Sequence, residues 1–330
     1  MIIIKLTIPW NHDYNSQVTL QEDIKFEINN DCKECDFWFI WGGLKEKTTV
    51  KCPIENVIYI TDEAHELRKF NQDFLNQFPT ILAVRTDLKH KNIINIHEPH
   101  IWYFPKTLIE LQGIKSVEKT EQLSIVASDL TLLYGHKKRF AFTNKLIGHF
   151  KDKIHVYGRG FNPIDNKWNA IAPYKYSVAI ENNVIQNYFT EKLTECFLSF
   201  TMPIYYGCPN ITDFFDQKSM ILIDINDYKK SVEIIEKAID ENLYKKNYNY
   251  LLDSRNKFLN ELHVFPTLYN FVKSHNDKND KEIITIYPEK YFLEKENEKQ
   301  TIINFGSHGL RLPIKILKFA LKTYFKNMLR

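Results

Sequence analysis

The sequence is poor in glycine and proline and has no long apolar run. Ten Gly and 12 Pro among 330 residues leave little room for a low-complexity linker. No run of about 18 apolar residues is present, so we expect no membrane-spanning helix. The start, MIIIKLTIPW, has too short an apolar run for a signal peptide. The net charge of +3 is too small for a general nucleic-acid binder, so we expect no nucleic-acid partner.

Cysteine is also sparse. The sequence has five cysteines, an odd number, and we predict no signal peptide. We therefore expect reduced thiols in the cytosol. Cys32 and Cys35 form a single C-x-x-C, whereas a structural zinc site normally needs a second pair of ligands. Completion of such a site by Cys52 and a distant histidine stays an alternative, but we expect no metal.

Short apolar runs recur along the chain with helical patterns between them. Their residues are apolar at consecutive positions, as in strands that helices cover on both faces of a sheet. The runs predict two groups of five strands: Ile2–Leu6, Phe37–Trp41, Val57–Ile60, Ile81–Val84 and Ile93–Ile96, then Leu123–Ala127, Ile154–Tyr157, Ser177–Ile180, Pro203–Tyr206 and Ile221–Ile225. The helical patterns between them are Ala64–Leu75, Lys137–Phe150, Thr190–Phe200 and Tyr228–Asp240. Strands that alternate with helices predict an α/β fold with parallel sheets.

A polar interval, Lys106–Gln122, separates the two groups of strands. It predicts two domains, residues 1–115 and 116–275, that face one another across a cleft. Residues 276–330 begin with a stretch rich in charged residues and read as a tether with a basic tail. Because ligands of open α/β sheets lie beyond the carboxyl ends of the strands, the chemistry is expected there.

The densest group of polar residues lies in Tyr174–Asn210. Glu181 and Asn182 follow a predicted strand, and Tyr188, Glu191 and Lys192 surround the start of the next helix. Free N–H groups at a helix start, together with Lys192, suit a phosphate or diphosphate. Glu191 then has the position to accept hydrogen bonds from ribose hydroxyls. The alternative is structural: Glu191 caps the helix, and Glu195 pairs with Lys192 on a solvated face.

Four motifs lie in this segment: Tyr174-Lys175-Tyr176, Glu181-Asn182, Tyr188-Phe189-Thr190-Glu191-Lys192-Leu193 and Pro203-Ile204-Tyr205-Tyr206-Gly207. In these motifs and their spacing the segment resembles glycosyltransferase family 10, the α1,3/α1,4-fucosyltransferases. Upstream, HKKRFAFTNKL resembles a helix of the family and places Arg139 at the position of its donor-phosphate arginine. The clear match covers about Leu123 to Asp227.

The resemblance implies a GT-B fold of two Rossmann-like domains, with the sugar nucleotide in residues 116–275 and the acceptor beside residues 1–115. It implies GDP-fucose as donor, inversion at the anomeric carbon and no cofactor. Arg139 and Lys192 would offset the charge on the leaving diphosphate, while Asn182, Tyr188 and Glu191 orient phosphate and ribose beside Glu181. The sequence has no D-x-D, the usual metal motif of glycosyltransferases, so cationic side chains are the expected substitute.

Inverting transfer needs a general base for the acceptor hydroxyl. The family often carries T-G-E at a strand end, where VIYITDE here has Asp62 in place of glycine and then Glu63. We therefore predict Glu63 as the base, with Asp62, Glu66 and Glu98 as alternatives. Trp10, Trp41 and Trp102, near strand ends, are candidates for stacking on acceptor sugars.

The tail is basic and amphipathic. Residues 299–330 hold seven Lys or Arg and no acidic residue, and within Leu312–Arg330 the basic residues recur every three or four positions. This pattern predicts a helix on an anionic membrane surface, whereas a helix docked on the body is the alternative. We therefore expect a cytoplasmic enzyme, peripheral on the inner face of the cell membrane, that acts on a lipid-linked surface glycan of the lipopolysaccharide or O-antigen type. A transferase for another nucleotide sugar, or a non-catalytic binding module on the membrane, remains the alternative.

Overall fold

The computed structural model describes residues 1–19, 21–62, 68–275 and 279–294 of the chain. Residues 1–288 form one compact unit, and the unit that begins at residue 289 is described only as far as residue 294. The predicted membrane-associated tail, Leu312–Arg330, lies outside the described residues.

The first sheet holds six parallel strands in the order β2-β1-β3-β5-β6-β7. The strands are β1 (Ile2–Thr7), β2 (Ile24–Ile28), β3 (Phe37–Trp41), β5 (Val57–Ile60), β6 (Thr80–Ala83) and β7 (Ile93–Asn95). Every residue of β3, β5 and β6 is buried, which explains why these strands are apolar at consecutive positions.

The second sheet holds five parallel strands in the order β12-β11-β10-β8-β9. They are β8 (Glu121–Val126), β9 (His155–Tyr157), β10 (Tyr174–Ile180), β11 (Met202–Tyr206) and β12 (Ile221–Leu222). The register aligns Val178 of β10 with Ile125 of β8 and Ile204 of β11, so the carboxyl ends of all three strands meet at one edge.

Nine α-helices are described between and after these strands. They are α1 (Gln72–Leu75), α2 (Leu108–Gly113), α3 (Tyr134–Phe150), α4 (Lys167–Ile171), α5 (Glu191–Leu198), α6 (Tyr228–Asp240), α7 (Leu243–Lys246), α8 (Tyr248–Lys257) and α9 (Val264–Ser274). Two of them, α3 and α5, follow β8 and β10 and position the site described below. No helix in the described parts of the chain is long and apolar enough to span a bilayer.

The α/β class with parallel sheets is confirmed, and each of the ten predicted strands forms within a few residues of its expected position. Sequence periodicity missed β2 and the antiparallel pair β4 (Thr48–Cys52) and β13 (Glu282–Ile286). Exposed and covered residues mix in all three strands, so their apolar runs are too short to stand out.

The chain returns to the first sheet after completing the second. Val264, Phe265, Leu268 and Val272 of α9 share a buried core with Ile4 and other residues of the first sheet. Strand β13, which lies in the interval predicted as a tether, then pairs with β4. The division into residues 1–115, 116–275 and 276–330 stays a prediction, because the structure forms one compact unit as far as residue 288.

Candidate functional site

The order of strands in the second sheet creates a crevice between β8 and β10. From β8 the chain moves to β9 on one side, and from β10 it moves to β11 on the other. Such a reversal separates the loops that leave the two central strands, and open α/β sheets bind ligands there. Ser128 lies two residues beyond β8, and Glu181 and Asn182 follow β10 directly.

The start of α3 closes one side of this crevice. A Cβ atom on Gly135 would lie 1.8 Å from the backbone oxygen of Asn182, so only glycine lets the helix approach so closely. The N-cap residue, Leu133, provides no side-chain hydrogen bond to the first turn. The helix start therefore lies against the loop after β10 without a cap from its own N-cap residue.

Several buried polar atoms in this crevice lack a hydrogen-bond partner among the described residues. They are Nε of Arg139, Nδ1 of His136, Oδ1 of Asn182 and Nδ2 of Asn183. Arg139 is 8% exposed, and its Nη2 donates to Ser128 Oγ at 3.0 Å. Burial lowers the pKa of Arg139, and the Glu181 and Glu191 carboxylates oppose that shift. Buried donors and acceptors without partners are rare in native proteins, so their clustering indicates a site for a polar ligand.

Glu181 supports the floor of the crevice. Its carboxylate accepts hydrogen bonds from Thr190 N at 2.8 Å and from Thr190 Oγ1 at 2.8 and 3.0 Å, and its side chain is fully buried. Burial raises the pKa of Glu181, although Lys192 acts in the opposite direction. Because Thr190 is also the N-cap of α5, Glu181 ties the end of β10 to the start of that helix.

Lys192 and Glu191 lie side by side in the first turn of α5. Lys192 Nζ is 3.4 Å from Glu191 Oε1, 3.5 Å from Glu181 Oε2 and 3.0 Å from Thr190 Oγ1. Burial alone would lower the pKa of Lys192, but the Glu191 and Glu181 carboxylates raise it, and the net shift is upward. Lys192 is therefore a charged ammonium next to the orphan atoms of the crevice.

Glu195 does not pair with Lys192 on a solvated face, as the structural alternative expects. It is 1% exposed, not on a solvated face, and it pairs with Lys167 at 3.2 Å rather than with Lys192. Its other oxygen accepts a hydrogen bond from Tyr103 N at 2.7 Å. Helix α5 is packed on the sheet at this position, which the sequence pattern alone does not reveal.

Tyr188 lies away from the open part of the crevice. It is 6% exposed and packs against Val84, which follows β6 of the first sheet, and against Ile185. The structure thus brings together Arg139, Glu181, Asn182, Glu191 and Lys192 and places Tyr188 at the contact between the two sheets' loops. Their assignment as donor-binding residues stays a prediction.

The predicted base, Glu63, and its alternative Glu66 lie outside the described residues. Asp62 carries a bidentate contact from Arg68 Nη1, at 2.7 and 2.8 Å, and its side chain is only 6% exposed. A guanidinium in this position stabilises the carboxylate anion, which makes Asp62 a poor proton acceptor. Glu98 is 5% exposed. The assignment of Glu63 as the base stays a prediction.

The corresponding edge of the first sheet is mainly aromatic. The Trp10 indole lies against Gly42, where a Cβ would be 2.2 Å from its ring, and it contacts Trp41 edge-on with ring centroids 5.9 Å apart. Trp10 is half-buried, whereas Trp41 and Trp102 are 6% and 0% exposed. The expectation that Trp41 and Trp102 stack on a sugar is therefore wrong, because both rings are buried in the core.

No group of three or more His, Cys, Asp or Glu with metal-binding geometry occurs in the described ranges of the chain. Cys32, Cys35 and Cys52 are free thiols.

Three residues of the site escaped the sequence analysis: Ser128, His136 and Lys167. Ser128 follows the end of β8, and His136 lies in the first turn of α3, so both are polar residues close to a strand end or a helix start. Lys167 lies on α4, a five-residue helix with no recognisable pattern, and only the fold brings it to α5.

The chain is similar to known proteins of one family. The family model described as glycosyltransferase family 10 (fucosyltransferase), C-terminal, matches residues 117–284. An alpha-(1,3)-fucosyltransferase FucT of Helicobacter pylori is 33% identical over 107 residues, 32% of this chain and 20% of that protein. A GDP-fucose protein O-fucosyltransferase 3 of Danio rerio is 36% identical over 95 residues, 28% of this chain and 19% of that protein. A crystal structure of an alpha1,3-fucosyltransferase is 18% identical, with a TM-score of 0.47 and coverage of 84% of this chain and 90% of its own.

The two parallel sheets and the helices between their strands define an α/β protein. Because the family model matches half of its residues, the chain belongs to glycosyltransferase family 10, a fucosyltransferase family, and the predicted membership is confirmed. The alignments with the curated relatives above span about a fifth of each relative's length.

Proposed function

We propose that the chain transfers fucose from GDP-fucose to a hydroxyl group of a surface glycan. The observation that carries the proposal is the group of unpartnered buried atoms of His136, Arg139 and Asn182, which lies beside the Lys192 ammonium at the carboxyl ends of β8 and β10. The names of the relatives supply the donor: the fish protein is named for GDP-fucose and the bacterial one for fucosyl transfer.

Arg139 and Lys192 act on the diphosphate. In the transfer, the acceptor oxygen forms a bond to C1 of fucose while the bond from C1 to the diphosphate oxygen breaks. Negative charge then accumulates on GDP, and a buried guanidinium and a half-buried ammonium stabilise it more in the transition state than in the bound donor. Glu191, at the start of α5, accepts hydrogen bonds from the ribose hydroxyls, and Asn182 orients the phosphate.

The base stands on the opposite side of the anomeric carbon. Attack from the face opposite GDP inverts the configuration at C1, and the acceptor hydroxyl must lose its proton as it attacks. Glu63, three residues beyond β5 of the first sheet, is the proposed acceptor of this proton. Trp10, the half-buried indole at the same sheet edge, offers an apolar face for an acceptor sugar.

The acceptor and the location are proposed from the tail. Its basic stripe and apolar residues suit an anionic membrane surface, where a lipid-linked glycan of the lipopolysaccharide type is assembled. The protein is then cytoplasmic and peripheral on the inner face of the cell membrane. The names of the relatives differ in the acceptor, one being a protein O-fucosyltransferase, so they do not select it.

Calorimetric titration of the full chain tests the proposal. GDP and GDP-fucose are compared with UDP and CDP in the presence of a chelator, followed by transfer to lipid-linked and soluble glycans. We expect micromolar-range binding of the two guanine nucleotides without metal and transfer of fucose. Selective binding of another nucleotide would replace the donor, and donor binding without any turnover would favour a non-catalytic module.

A further inference from the structure

Five charged side chains form a connected series at the amino end of α5, which we call the α5 charge cluster: Glu181, Lys192, Glu191, Lys167 and Glu195. Lys192 Nζ bridges Glu181 and Glu191, and Lys167 Nζ bridges Glu191 at 3.6 Å and Glu195 at 3.2 Å. The cluster thus alternates acidic and basic groups from the crevice to the connection between the two sheets.

Lys192 is fully engaged in the protein without ligand. Its ammonium contacts both neighbouring carboxylates and Thr190 Oγ1. If Lys192 moves to bind an anionic ligand, Glu181 and Glu191 each lose part of their counter-charge. A buried carboxylate without a counter-charge is costly, so this exchange would oppose binding unless other groups hold the two carboxylates.

Each carboxylate has such a second partner. Glu181 keeps the hydrogen bonds from Thr190 N and Oγ1. Glu191, whose side chain is 18% exposed, keeps Lys167, which approaches from α4 rather than from its own helix. Burial opposes ionisation of Glu191, but Lys192 and Lys167 together lower its pKa.

We propose that Lys167 is a positioning residue that holds the Glu191 carboxylate in place while Lys192 binds the diphosphate of the donor. The inference rests on the proposed function, since it requires an anionic ligand at Lys192. Lys167 itself does not touch the ligand; it removes the electrostatic cost of transferring Lys192 from Glu191 to the diphosphate.

A purely structural role for Lys167 must be separated from this one. Lys167 is also the counter-ion of Glu195, which is 1% exposed. In the chain without ligand, Lys167→Met therefore leaves Glu195 without its cation and leaves Glu191 with Lys192 alone. Adding Glu195→Gln removes the charge at position 195 and keeps an oxygen that accepts from Tyr103 N. The double variant regains thermal stability but still leaves Glu191 without its second partner.

The experiment is calorimetric titration of GDP into the full chain, with thermal unfolding measured on each variant. We expect Lys167→Met to weaken GDP binding about tenfold, Lys167→Arg to restore the affinity to within about threefold, and Lys167→Met with Glu195→Gln to recover the unfolding temperature but not the affinity. Lys106→Met is the matched control. Lys106 Nζ lies 4.6 Å from the centre of the Trp168 ring, and Trp168 is the neighbour of Lys167 on α4. We expect the control to bind GDP like the native chain.

A double-mutant cycle tests whether Lys167 acts through Glu191. In a Glu191→Gln background the side chain at position 191 has no charge and needs no counter-ion, so Lys167→Met should change GDP affinity less than about twofold. The inference is overturned if Lys167→Met binds GDP like the native chain, if the double variant with Glu195→Gln recovers affinity as well as stability, or if the tenfold loss persists in the Glu191→Gln background. If the native chain binds no GDP, the proposed function falls and takes this inference with it, whereas the other outcomes leave the proposed function standing.

Discussion

The two sheets end in crevices of the same topology but of different chemistry. The crevice of the second sheet contains Arg139 and Lys192 together with buried polar atoms that lack partners. At the first sheet, the cation Arg68 already binds Asp62 and the backbone oxygen of Gly42, and the neighbouring surface is the Trp10 ring. Cations beside unpartnered polar atoms suit an anion, and an aromatic face suits an uncharged sugar ring, so we propose that the same topology serves two kinds of ligand.

The largest expected effect tests the catalytic contribution of the first sheet. Glu63→Gln should lower the rate of fucosyl transfer about 1,000-fold, because an amide cannot take the proton of the acceptor hydroxyl. GDP affinity should stay unchanged, since the proposed diphosphate site lies at the second sheet. The measurement is initial rate together with calorimetry, and Glu55→Gln, an exposed acid of the same sheet's region, is the control. An active Glu63→Gln enzyme would return the search for the base to Asp62, Glu66 or Glu98.

Acid should lower the free energy of unfolding through His100, which contacts α5 of the second sheet's region. Burial lowers the pKa of His100 from 6.5 to about 4, and its Nε2 is 3.0 Å from Thr194 Oγ1 on α5. Above pH 6.5 the imidazole is neutral in both the folded and the unfolded chain. As the pH falls from 6.5 toward 4, His100 gains a proton only in the unfolded chain, so this residue alone should lower the free energy of unfolding by about 3 kcal/mol.

Urea denaturation at pH 7.5 and pH 4.5 measures this loss. His100→Gln keeps a donor and an acceptor but does not titrate, so its stability should change less between the two pH values. His149→Gln, at an exposed position on α3 where the imidazole contacts Glu236, is the control for replacing a surface histidine and should keep the loss that His100 contributes. Equal pH dependence in all three proteins would contradict the assignment to His100.

A matched pair of arginine variants compares the two crevices directly. Arg139→Met should weaken GDP binding by about 2 kcal/mol, roughly 30-fold, because it removes a charge-assisted contact. Arg68→Met should lower the free energy of unfolding, because it leaves Asp62 buried without its cation, but should change GDP affinity by less than about twofold. If the two variants weaken GDP binding equally, the division of roles between the crevices is wrong.

The smallest expected effect concerns the contact between α3 and the loop after β10. Gly135→Ala places a methyl group on the Asn182 backbone oxygen and should cost about 1 to 2 kcal/mol in GDP binding or in stability. Gly148→Ala in the same helix meets no atom within 4 Å and should stabilise the protein by about 0.5 kcal/mol. Thermal unfolding and GDP titration of the two variants show whether the added methyl group lowers stability or GDP affinity. Similar behaviour at both positions would mean that the helix start can move away from Asn182.

Much of the site could be predicted because its residues are local in sequence. Glu181, Asn182, Glu191 and Lys192 lie within twelve residues, around one strand end and one helix start, and a strand followed by a helix places such residues together. The role of Glu195 could not be predicted in the same way. Its position on α5 is compatible with solvent or with burial, and the choice depends on Lys167 and Tyr103, which are distant in sequence.

The sequence by itself determined the α/β class, ten of the strands and the family, because buried parallel strands and a dense local motif leave continuous patterns in the chain. Only the tertiary structure decided that α9 returns to the first sheet, that Trp41 and Trp102 belong to the core, and that Lys167 is a counter-ion of Glu191. These features depend on contacts between residues far apart in the chain. Burial and charge compensation are properties of such contacts, so no local pattern encodes them.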